Sequence, residues 1–338
     1  MTVSTTHSVT TSRAVVFEAP GRLAIRDVDL DVAGDDDLLV QTECSGISTG
    51  TEKLLWEGRM PEFPGLGYPL VPGYEAVGKV VAAGANCSTT VGTRVFVPGA
   101  TCFGPELRGL FGASASLLVV PEARSSVTGN LPSEQGVLLA LAGTAMHILT
   151  HNLHRDRQGQ AISLSGARDQ APDLIVGHGT LGRLLGRICV AVGAAPPVVW
   201  ERDASRRAGA AGYAVIDESD DQRRDYRRIC DVSGAGGDLF DTLIARLARG
   251  GELVLGGFYS EPVSFTFPPA FMREARLSIA AQWLPEDLQL VQSLINAEAL
   301  SLDGLVTHRH RVERAEEAYP QAFNDKECLK MVLDWSEA

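Results

Sequence analysis

A glycine-rich segment at residues 177–182, with the sequence GHGTLG, directly follows the apolar run Leu174–Val176 and precedes a helical pattern at residues 183–192. In a G-x-G-x-x-G segment between a strand and a helix, the first glycine permits a tight turn and the second lets the backbone approach a pyrophosphate. The third glycine lets the helix pack closely on the strand, and the helix N-terminus faces the phosphates. The segment therefore predicts a dinucleotide-binding site, with a ligand-free glycine-rich turn as the alternative.

The next apolar run, Val198–Trp200, ends in an acidic residue, Glu201, which stands 201 − 182 = 19 residues after the last glycine of that segment. A carboxylate at this place can bind the ribose 2′-hydroxyl and exclude a 2′-phosphate, which favours NAD as the cofactor. Arg202, Arg206 and Arg207 follow at once. Because arginines so placed can accept that phosphate instead, NADP stays the alternative.

Two further apolar runs are followed by small residues, among them Ser233 and Gly256, at the strand ends where ligands of parallel sheets bind. We expect these residues to wall a nicotinamide pocket. The side chain of His178 is expected to face solvent, with a phosphate or the substrate cleft as alternatives. The predicted cofactor-binding residues are Gly177, His178, Gly179, Thr180, Leu181, Gly182, Glu201, Arg202, Ser233 and Gly256.

The pattern of apolar runs changes along the chain and predicts an α/β protein. Residues 13–121 form short strand-like runs separated by Gly, Pro and Asp, which predicts a β-barrel-like or sandwich module. An apolar helical pattern follows at residues 133–152. Residues 173–281 alternate apolar runs with helical stretches, which predicts βαβ units and a parallel sheet. A helix at residues 285–299 and a helix with flanking strands at residues 306–335 complete the chain, and this tail could return to the first module.

The composition excludes several classes of protein. The 338 residues carry 30 Lys and Arg against 42 Asp and Glu, a net charge of −12, which argues against a nucleic-acid binder. Six cysteines without a C-x-x-C pair indicate neither a disulfide framework nor a zinc ribbon, and they favour a reducing compartment. Residues 1–12 lack the apolar core of an export signal, and the longest apolar stretch, residues 136–149, is too short to span a bilayer. We therefore expect a cytoplasmic protein without a membrane segment.

Several segments together resemble the medium-chain dehydrogenase/reductase superfamily: the run GIS at residues 46–48, the segment VPGYEAVG at residues 71–78, and the nucleotide segment that follows them. The resemblance implies a GroES-like β-barrel catalytic domain in two sequence pieces, with a Rossmann doubly wound parallel sheet between them. We expect the catalytic pieces at residues 13–145 and 286–338 and the NAD-binding domain at residues 146–285. Because dimers are common in this superfamily, we also expect a homodimer.

Zinc-dependent members of the superfamily place a cysteine after Gly-Ile and a histidine after Pro-Gly, where this chain has Ser48 and Tyr74. The position of a third ligand, near Leu141 and Ala142, also lacks a metal-binding side chain, and Cys102 alone stands where structural-zinc members have four cysteines. The resemblance therefore implies no zinc site of either kind. A zinc-free dehydrogenase must remove the alcohol proton with side chains and polarise the C–O bond by hydrogen bonds.

Five residues are candidates for this proton chemistry. Ser48 and Tyr74 could hydrogen-bond the substrate hydroxyl or relay its proton, or they could fill the space of a lost metal. Glu75 could be a base or the end of a relay, with a structural ion pair as the alternative. Thr51 could bind the substrate or the cofactor ribose. His147, within the apolar helical stretch, could shuttle a proton or be a core residue.

Three segments resemble, more closely, the branch of this superfamily that serves bacteriochlorophyll synthesis: residues 45–56 (SGISTGTEKLLW), residues 64–75 (PGLGYPLVPGYE) and residues 177–185. This resemblance implies NAD-linked oxidation of the C3 1-hydroxyethyl group of a chlorin-type macrocycle, a bacteriochlorophyllide, to an acetyl group. A zinc-free NADPH-dependent quinone or enone reductase and a non-catalytic nucleotide-binding protein are the alternatives. Side chains near predicted loop ends could stack on the macrocycle or pack in the core; they are Trp56, Met60, Phe63, Phe111, Phe258, Tyr259 and Trp283.

Overall fold

The computed structural model describes residues 10–62, 64–155 and 162–336, so residues 1–9 and the candidate stacking residue Phe63 lie outside the described residues. The first stretch of strands and helices comprises β1 (Thr11–Ala19), β2 (Arg22–Asp29), β3 (Asp37–Ile47), α1 (Thr51–Trp56), β4 (Ala76–Ala83), β5 (Arg94–Val97), β6 (Leu117–Pro121), β7 (Ser126–Val127) and α2 (Ser133–Gly136). The second comprises α3 (Leu139–Arg155), α4 (Leu164–Asp169), β8 (Leu174–Val176), α5 (Thr180–Ala191), β9 (Val198–Trp200), β10 (Ala214–Ile216), β11 (Tyr226–Asp231), α6 (Leu239–Arg246), β12 (Leu247–Leu255), α7 (Phe267–Met272), β13 (Arg276–Ile279) and α8 (Pro285–Asn296). The last comprises β14 (Val306–Arg311), α9 (Ala315–Asn324) and β15 (Lys330–Asp334).

The chain divides into two compact units. The first consists of Met1–Leu138 and Val306–Ala338, and the second consists of Leu139–Leu305. We expected the domain boundaries after residues 145 and 285, whereas the two units divide after residues 138 and 305. The second boundary differs more from the expected one because α8, which follows residue 285, packs with α3 inside the second unit.

The first unit is built mainly from antiparallel strands, and the short strand-like runs of the sequence predicted a module of strands here. Its larger sheet has the order β14-β15-β3-β4-β5-β7, with β6 also paired to β3, and β1 pairs with β2 separately. The central strand β3 alternates buried Leu38 and Val40 with more exposed neighbours before it becomes buried throughout from residue 44. This period of two lets one face of the strand enter the core.

The C-terminal segment of the chain completes this unit. Strand β15 pairs antiparallel with β3, with Met331 opposite Ile47, and β14 pairs in parallel with β15. Helix α9 buries Tyr319 and Phe323, and the ring of Tyr319 lies 5.1 Å from that of Phe17 on β1. The core of the unit therefore contains residues from both ends of the sequence.

The second unit contains a six-stranded parallel sheet with the order β10-β9-β8-β11-β12-β13. The chain first builds outward from β8 to β10 and then returns to continue from β11 on the other side of β8. This reversal is the topological switch point of a Rossmann-type sheet, where ligands bind outside the carboxyl ends of the strands. The predicted α/β class with a doubly wound parallel sheet is confirmed, whereas the sequence patterns did not predict the short elements α4 and β10.

A buried carboxylate joins α8 to α3. Asp287 accepts hydrogen bonds from Nδ1 of His147 at 2.8 Å and from Nε2 of His154 at 3.0 Å. It also accepts a bond from the Thr150 hydroxyl, and the main-chain N–H of Leu284 donates to it at 2.8 Å, which closes the N-terminus of α8. These bonds, together with the apolar contacts of α8, hold this helix in the second unit.

One helical stretch, Ser133–His154, is long and apolar enough by composition to cross a membrane. This stretch is longer than the apolar run that the sequence analysis considered. Of its apolar 18-residue window, 78 % is buried within the protein, as expected for a core helix of a globular domain. Its length and hydropathy are therefore explained by packing against the sheet and the neighbouring helices.

We expect Asp287→Asn to lower the apparent free energy of unfolding at pH 7 by about 2–4 kcal/mol, because its amide nitrogen would face hydrogen-bond donors inside the protein. Hydrogen bonds from His147, Thr150 and His154 hold the pKa of the Asp287 carboxyl down, at about 2, against the opposing effect of burial. A lowered folded-state pKa gives a stabilisation that is present above the unfolded value near 4 and is lost as the pH falls towards 2.

Urea unfolding of the wild type and Asp287→Asn at pH 7 and at pH 3 checks this prediction, and the difference between the two proteins should shrink at the lower pH. The matched control is Asp169→Asn, whose carboxyl is 65 % exposed. This control should change the unfolding free energy by less than about 0.5 kcal/mol. Equal effects of the two substitutions would contradict the role of Asp287.

Candidate active site

The three glycines of the nucleotide segment differ in the space that a side chain would have at each position. Gly177 has a φ of +101°, which favours glycine, and a Cβ there would lie 3.1 Å from Cα of Ser233. A Cβ on Gly182 would lie 1.9 Å from the carbonyl oxygen of Gly177, so only glycine allows this approach of α5 to β8. A Cβ on Gly179 would meet no atom within 4 Å. Gly179 thus leaves open space at the N-terminus of α5, where main-chain N–H groups can receive a phosphate.

Glu201 lies at the end of β9 and is linked to this segment. Its carboxylate accepts a hydrogen bond from the main-chain N–H of His178 at 3.0 Å and another from that of Asp203 at 2.9 Å. Each carboxylate oxygen can accept a further bond. Glu201 is therefore held beside the turn in a form that can still accept a ribose hydroxyl.

The expectation that the His178 side chain faces solvent is wrong. The imidazole is fully buried, with Nδ1 2.7 Å from the carbonyl oxygen of Arg206 and Nε2 3.0 Å from the hydroxyl of Tyr213. Burial lowers the pKa of His178 to about 4, so the ring is neutral at pH 7. Since a carbonyl only accepts, Nδ1 carries the proton and Nε2 accepts from Tyr213. The His178 side chain therefore holds the loop that follows β9, and its main-chain N–H donates to Glu201.

The arginines after Glu201 are held by other groups. Arg202 pairs with Glu218 at 3.3 Å, and Arg207 pairs with Asp217 and donates to the main-chain carbonyl of Glu201 at 2.8 Å. Two of the three arginines that could accept a 2′-phosphate are thus already paired with carboxylates.

The small residues at the ends of the next two strands differ in exposure. Ser233 is exposed, and its hydroxyl donates to the buried carboxylate of Asp231 at 2.7 Å, which also accepts a bond from Tyr259 at 2.7 Å. Gly256 is buried, and a Cβ there would lie 2.5 Å from Ile148. The glycine at position 256 is therefore explained by packing, whereas Ser233 lies at the strand ends beside the turn.

In the first unit, the predicted residues Ser48, Thr51 and Tyr74 come together as a group of hydroxyls. The Tyr74 hydroxyl donates to Oγ of Ser48 at 2.6 Å, and Thr51 is a further hydrogen-bonding neighbour of Tyr74. Burial and the carboxylate of Glu75 raise the pKa of Tyr74, so its phenol is protonated at neutral pH. Ser48 follows β3 and Thr51 begins α1, so the turn between these elements positions two of the three hydroxyls.

Glu75 follows Tyr74 and is buried in the first unit. Its Oε2 lies 2.6 Å from Nζ of Lys330 on β15, and both side chains are buried, with exposures of 0 % and 1 %. Lys330 also donates to the main-chain carbonyl of Ile47 at 3.2 Å. Glu75 thus forms a structural ion pair with Lys330, which is the alternative that the sequence analysis left open for it.

Sequence reasoning missed Glu52, which follows Thr51 and reads as a surface charge or a helix cap. The side chain is fully buried, and Oε1 accepts a hydrogen bond from the main-chain N–H of Ser48 at 3.2 Å. Burial, and then the neighbouring Glu75, raise the pKa of Glu52 to about 8. Its position in the first turn of α1, four residues after Ser48, was the only available signal.

His147 belongs to the second unit, whereas the other four candidate catalytic residues belong to the first. It bonds to Asp287 as described above, and with His154 these side chains place three potential metal-ligand atoms within 4.8 Å of one another. The hydrogen bonds of Asp287 give this cluster a structural role in joining α3 to α8.

The candidate stacking residues take different positions. Trp56 and Phe111 pack on the core of the first unit, where the Phe111 ring lies 5.2 Å from that of Tyr74. Trp283 lies against Gly143 in the second unit, and Phe258 is 46 % exposed. Core packing therefore accounts for Trp56 and Phe111, whereas Trp283 is partly buried against α3.

Comparison with known proteins gives a consistent assignment. Residues 34–129 match the alcohol dehydrogenase GroES-like domain. A protein of Cereibacter sphaeroides named 2-desacetyl-2-hydroxyethyl bacteriochlorophyllide A dehydrogenase is 52 % identical over 326 residues, which are 95 % of this chain and 98 % of the relative. A protein of the same name from Rhodobacter capsulatus is 51 % identical over 327 residues, 97 % and 99 % of the two chains.

Solved structures agree on the fold. Acetophenone reductase from Geotrichum candidum in complex with NAD has a TM-score of 0.78 at 17 % identity, with 97 % of this chain and 98 % of that chain covered. A dehydrogenase from Sinorhizobium meliloti bound to NADP has a TM-score of 0.75 at 21 % identity, with 96 % and 99 % covered. At such identities these structures support the architecture alone.

The fold and the relatives together define a member of the medium-chain dehydrogenase/reductase superfamily, an oxidoreductase that acts on CH–OH groups. Within that superfamily the chain belongs to the family of the 2-desacetyl-2-hydroxyethyl bacteriochlorophyllide A dehydrogenases. Both levels of the resemblance seen in the sequence are thereby confirmed.

Two glycine substitutions should separate folding from nucleotide binding. Gly182→Ala places its Cβ against the Gly177 carbonyl, so we expect a lower melting temperature. Gly179→Ala meets no protein atom, so we expect an almost unchanged melting temperature but a dissociation constant for NADH raised by about tenfold, which corresponds to about 1.4 kcal/mol. Thermal unfolding and a fluorescence titration with NADH measure the two effects. Unchanged NADH affinity in Gly179→Ala would mean that the turn does not contact the pyrophosphate.

Proposed function

We propose that the protein catalyses the NAD-dependent and zinc-independent oxidation of the C3 1-hydroxyethyl group of a bacteriochlorophyllide precursor to an acetyl group, in bacteriochlorophyll biosynthesis. The names and the high identity of the two relatives support the substrate. The observation that carries the chemistry is the hydrogen bond between Tyr74 and Ser48, which joins two hydroxyls at the positions where zinc-dependent members have metal ligands.

The residues of the second unit fit a nicotinamide dinucleotide. Gly179 leaves space for the pyrophosphate at the N-terminus of α5, and Glu201 can accept the ribose 2′-hydroxyl. Pairing of Arg202 and Arg207 with carboxylates supports NAD over NADP, because these guanidinium groups would have to leave their partners to bind a 2′-phosphate. NAD supplies the hydride acceptor when it is bound.

The hydroxyls of the first unit provide the proton chemistry. Oxidation of a secondary alcohol removes a hydride from carbon and a proton from oxygen while the C=O bond forms. Tyr74 donates to Ser48, so the phenol oxygen can accept the proton of the substrate hydroxyl while the phenol proton moves to Ser48 and the Ser48 hydroxyl proton is released to water. The pair thereby orients the substrate hydroxyl and carries its proton to solvent, without a metal ion to polarise the C–O bond.

We further propose that the protein is a cytoplasmic homodimer. None of the six cysteines, all of which lie in the part of the chain that the structure describes, forms a disulfide, which fits a reducing compartment. Strand β13 forms one edge of the parallel sheet, and next to it α7 exposes Phe267, Phe271 and Met272, each by more than 60 %. An unpaired strand edge with apolar neighbours is a favourable surface for a second copy of the chain.

Replacing either hydroxyl should impair turnover without impairing cofactor binding. We expect Ser48→Ala and Tyr74→Phe to lower kcat/KM for the hydroxyethyl substrate by about 100-fold or more, the scale of a lost proton-transfer group. The NADH dissociation constant should stay within about twofold, because both residues belong to the first unit. Anaerobic assays that follow the pigment absorption and NADH measure the loss, and the wild type should keep its activity with a chelator. Loss of activity on chelation, restored by Zn²⁺, would refute the zinc-independent mechanism.

Cofactor choice should respond to the carboxylates that hold the arginines. The wild type should use NAD with a higher kcat/KM than NADP. The double substitution Asp217→Asn and Glu218→Gln releases Arg207 and Arg202, so we expect the ratio of NADP to NAD kcat/KM to rise by about tenfold. The control Asp225→Asn, which removes an exposed partner of Arg223, should leave the ratio unchanged. A ratio unmoved in the double variant would show that these ion pairs do not select the cofactor.

A further inference from the structure

Two buried carboxylates and one buried ammonium group lie behind the hydroxyls of the first unit. Glu52 and Glu75 are both fully buried, and Lys330 is 1 % exposed. Burial raises the pKa of both carboxyl groups, but Lys330 donates to Glu75 and to the Ile47 carbonyl, so its ammonium group favours the ionised form of Glu75 over that of Glu52. If both carboxylates were ionised, the group would hold a net negative charge out of contact with water, which is strongly unfavourable.

The hydrogen bonds of the two glutamates indicate which of their carboxyl groups carries a proton. Oε2 of Glu52 and Oε1 of Glu75 are both buried and lack a close hydrogen-bond partner among the described residues, and the Tyr319 hydroxyl is a hydrogen-bonding neighbour of the Glu52 carboxyl group. Oε1 of Glu52 accepts the main-chain N–H of Ser48, which either charge state of the glutamate can do. A carboxylic acid proton on Glu52 would remove the excess charge, and the phenol oxygen of Tyr319 can accept a hydrogen bond from it.

The other groups around Glu52 do not supply a second positive charge. Tyr319 on α9 presents a phenol to it, and burial with the nearby Glu52 raises the pKa of that phenol, so it stays neutral. Tyr74 presents a second neutral phenol. The next residue, Lys53, is partly exposed and directs its ammonium group to the Phe323 carbonyl and to Glu57.

We propose that Glu52 is a positioning residue of the active site that carries a proton at neutral pH. In this form it holds the turn that bears Ser48 through the Ser48 main-chain N–H, without placing a second negative charge beside the Tyr74–Ser48 pair. Charge neutrality matters there, because negative charge develops on the substrate oxygen as its proton leaves, and an ionised Glu52 would oppose it. The catalytic part of this inference rests on the proposed function; the protonation state does not.

The pH dependence of stability tests the protonation state without any substrate. Burial and Glu75 raise the pKa of Glu52 to about 8, whereas the same group in the unfolded chain titrates near 4.5. Between these values the folded state binds more protons than the unfolded state, so this group makes stability fall as the pH rises. Glu52→Gln is an uncharged isostere of the acid and removes this effect.

We therefore expect the melting temperature of Glu52→Gln to rise relative to that of the wild type as the pH increases from 5 to 8. The matched variant Glu75→Gln leaves Lys330 without its carboxylate partner and should lower the melting temperature throughout this range. A difference in melting temperature between the wild type and Glu52→Gln that stays constant from pH 5 to pH 8 would overturn the proposal.

A spectroscopic measurement on the wild type does not depend on whether a variant folds. With glutamate labelled by ¹³C at the carboxyl carbon, we expect one carbon NMR signal at pH 7 at the chemical shift of a protonated acid, and its absence from Glu52→Gln if that variant folds. No such signal in the wild type at pH 7 overturns the proposal.

The active-site role has its own readout. The ratio of kcat/KM for Glu52→Gln to that for the wild type should increase by about threefold between pH 6.5 and pH 9, as Glu52 ionises in the wild type. A constant ratio, together with a confirmed protonated Glu52, would limit the residue to a structural role and overturn its part in positioning the site. Absence of turnover in the wild type would count against the proposed function and leave the stability and NMR results to decide the protonation state.

Discussion

The buried ion pair between Lys330 and Glu75 is the contact on which the first unit depends. It joins β15, near the end of the chain, to the segment before β4, across the whole of the second unit in sequence. Lys330 also bonds to Ile47, so one ammonium group fixes the end of β3. Breaking such a pair by removing one partner leaves an uncompensated buried charge, which typically costs about 3–5 kcal/mol. The two pieces of the unit are thus held in one arrangement.

This pair also explains a glycine near the end of β3, at position 46. A Cβ on Gly46 would lie 2.2 Å from Oε2 of Glu75, so the carboxylate occupies the space that the glycine leaves. The main-chain N–H of Gly46 in turn donates to the carbonyl of Glu75 at 2.8 Å. The segments around residues 46–48 and 71–78, which carry the family resemblance, are therefore parts of one packed cluster completed by Lys330.

The sequence allowed the fold to be predicted where the information was local. Alternating burial identifies β3, and Gly177 and Gly182 have the geometric roles that their spacing predicts, because those roles depend on neighbours within one strand–turn–helix unit. The side-chain partners of Glu75 and Asp287 were not predictable. Lys330 lies 255 residues after Glu75, and His147, Thr150 and His154 lie 140, 137 and 133 residues before Asp287. Pattern reasoning has no access to such distant contacts.

The same limit explains the error at His178 and the oversight at Glu52. Polar residues are usually exposed, and burial becomes possible only when specific partners satisfy them, as Arg206 and Tyr213 satisfy His178. In zinc-dependent members a divalent cation would add positive charge near the positions of Ser48 and Tyr74. A chain with two hydroxyls at those positions has to balance its buried carboxylates by other means, and here one lysine is paired with Glu75. Replacing metal ligands by neutral hydroxyls thus changes the charge balance of the surrounding core as well as the chemistry at the substrate oxygen.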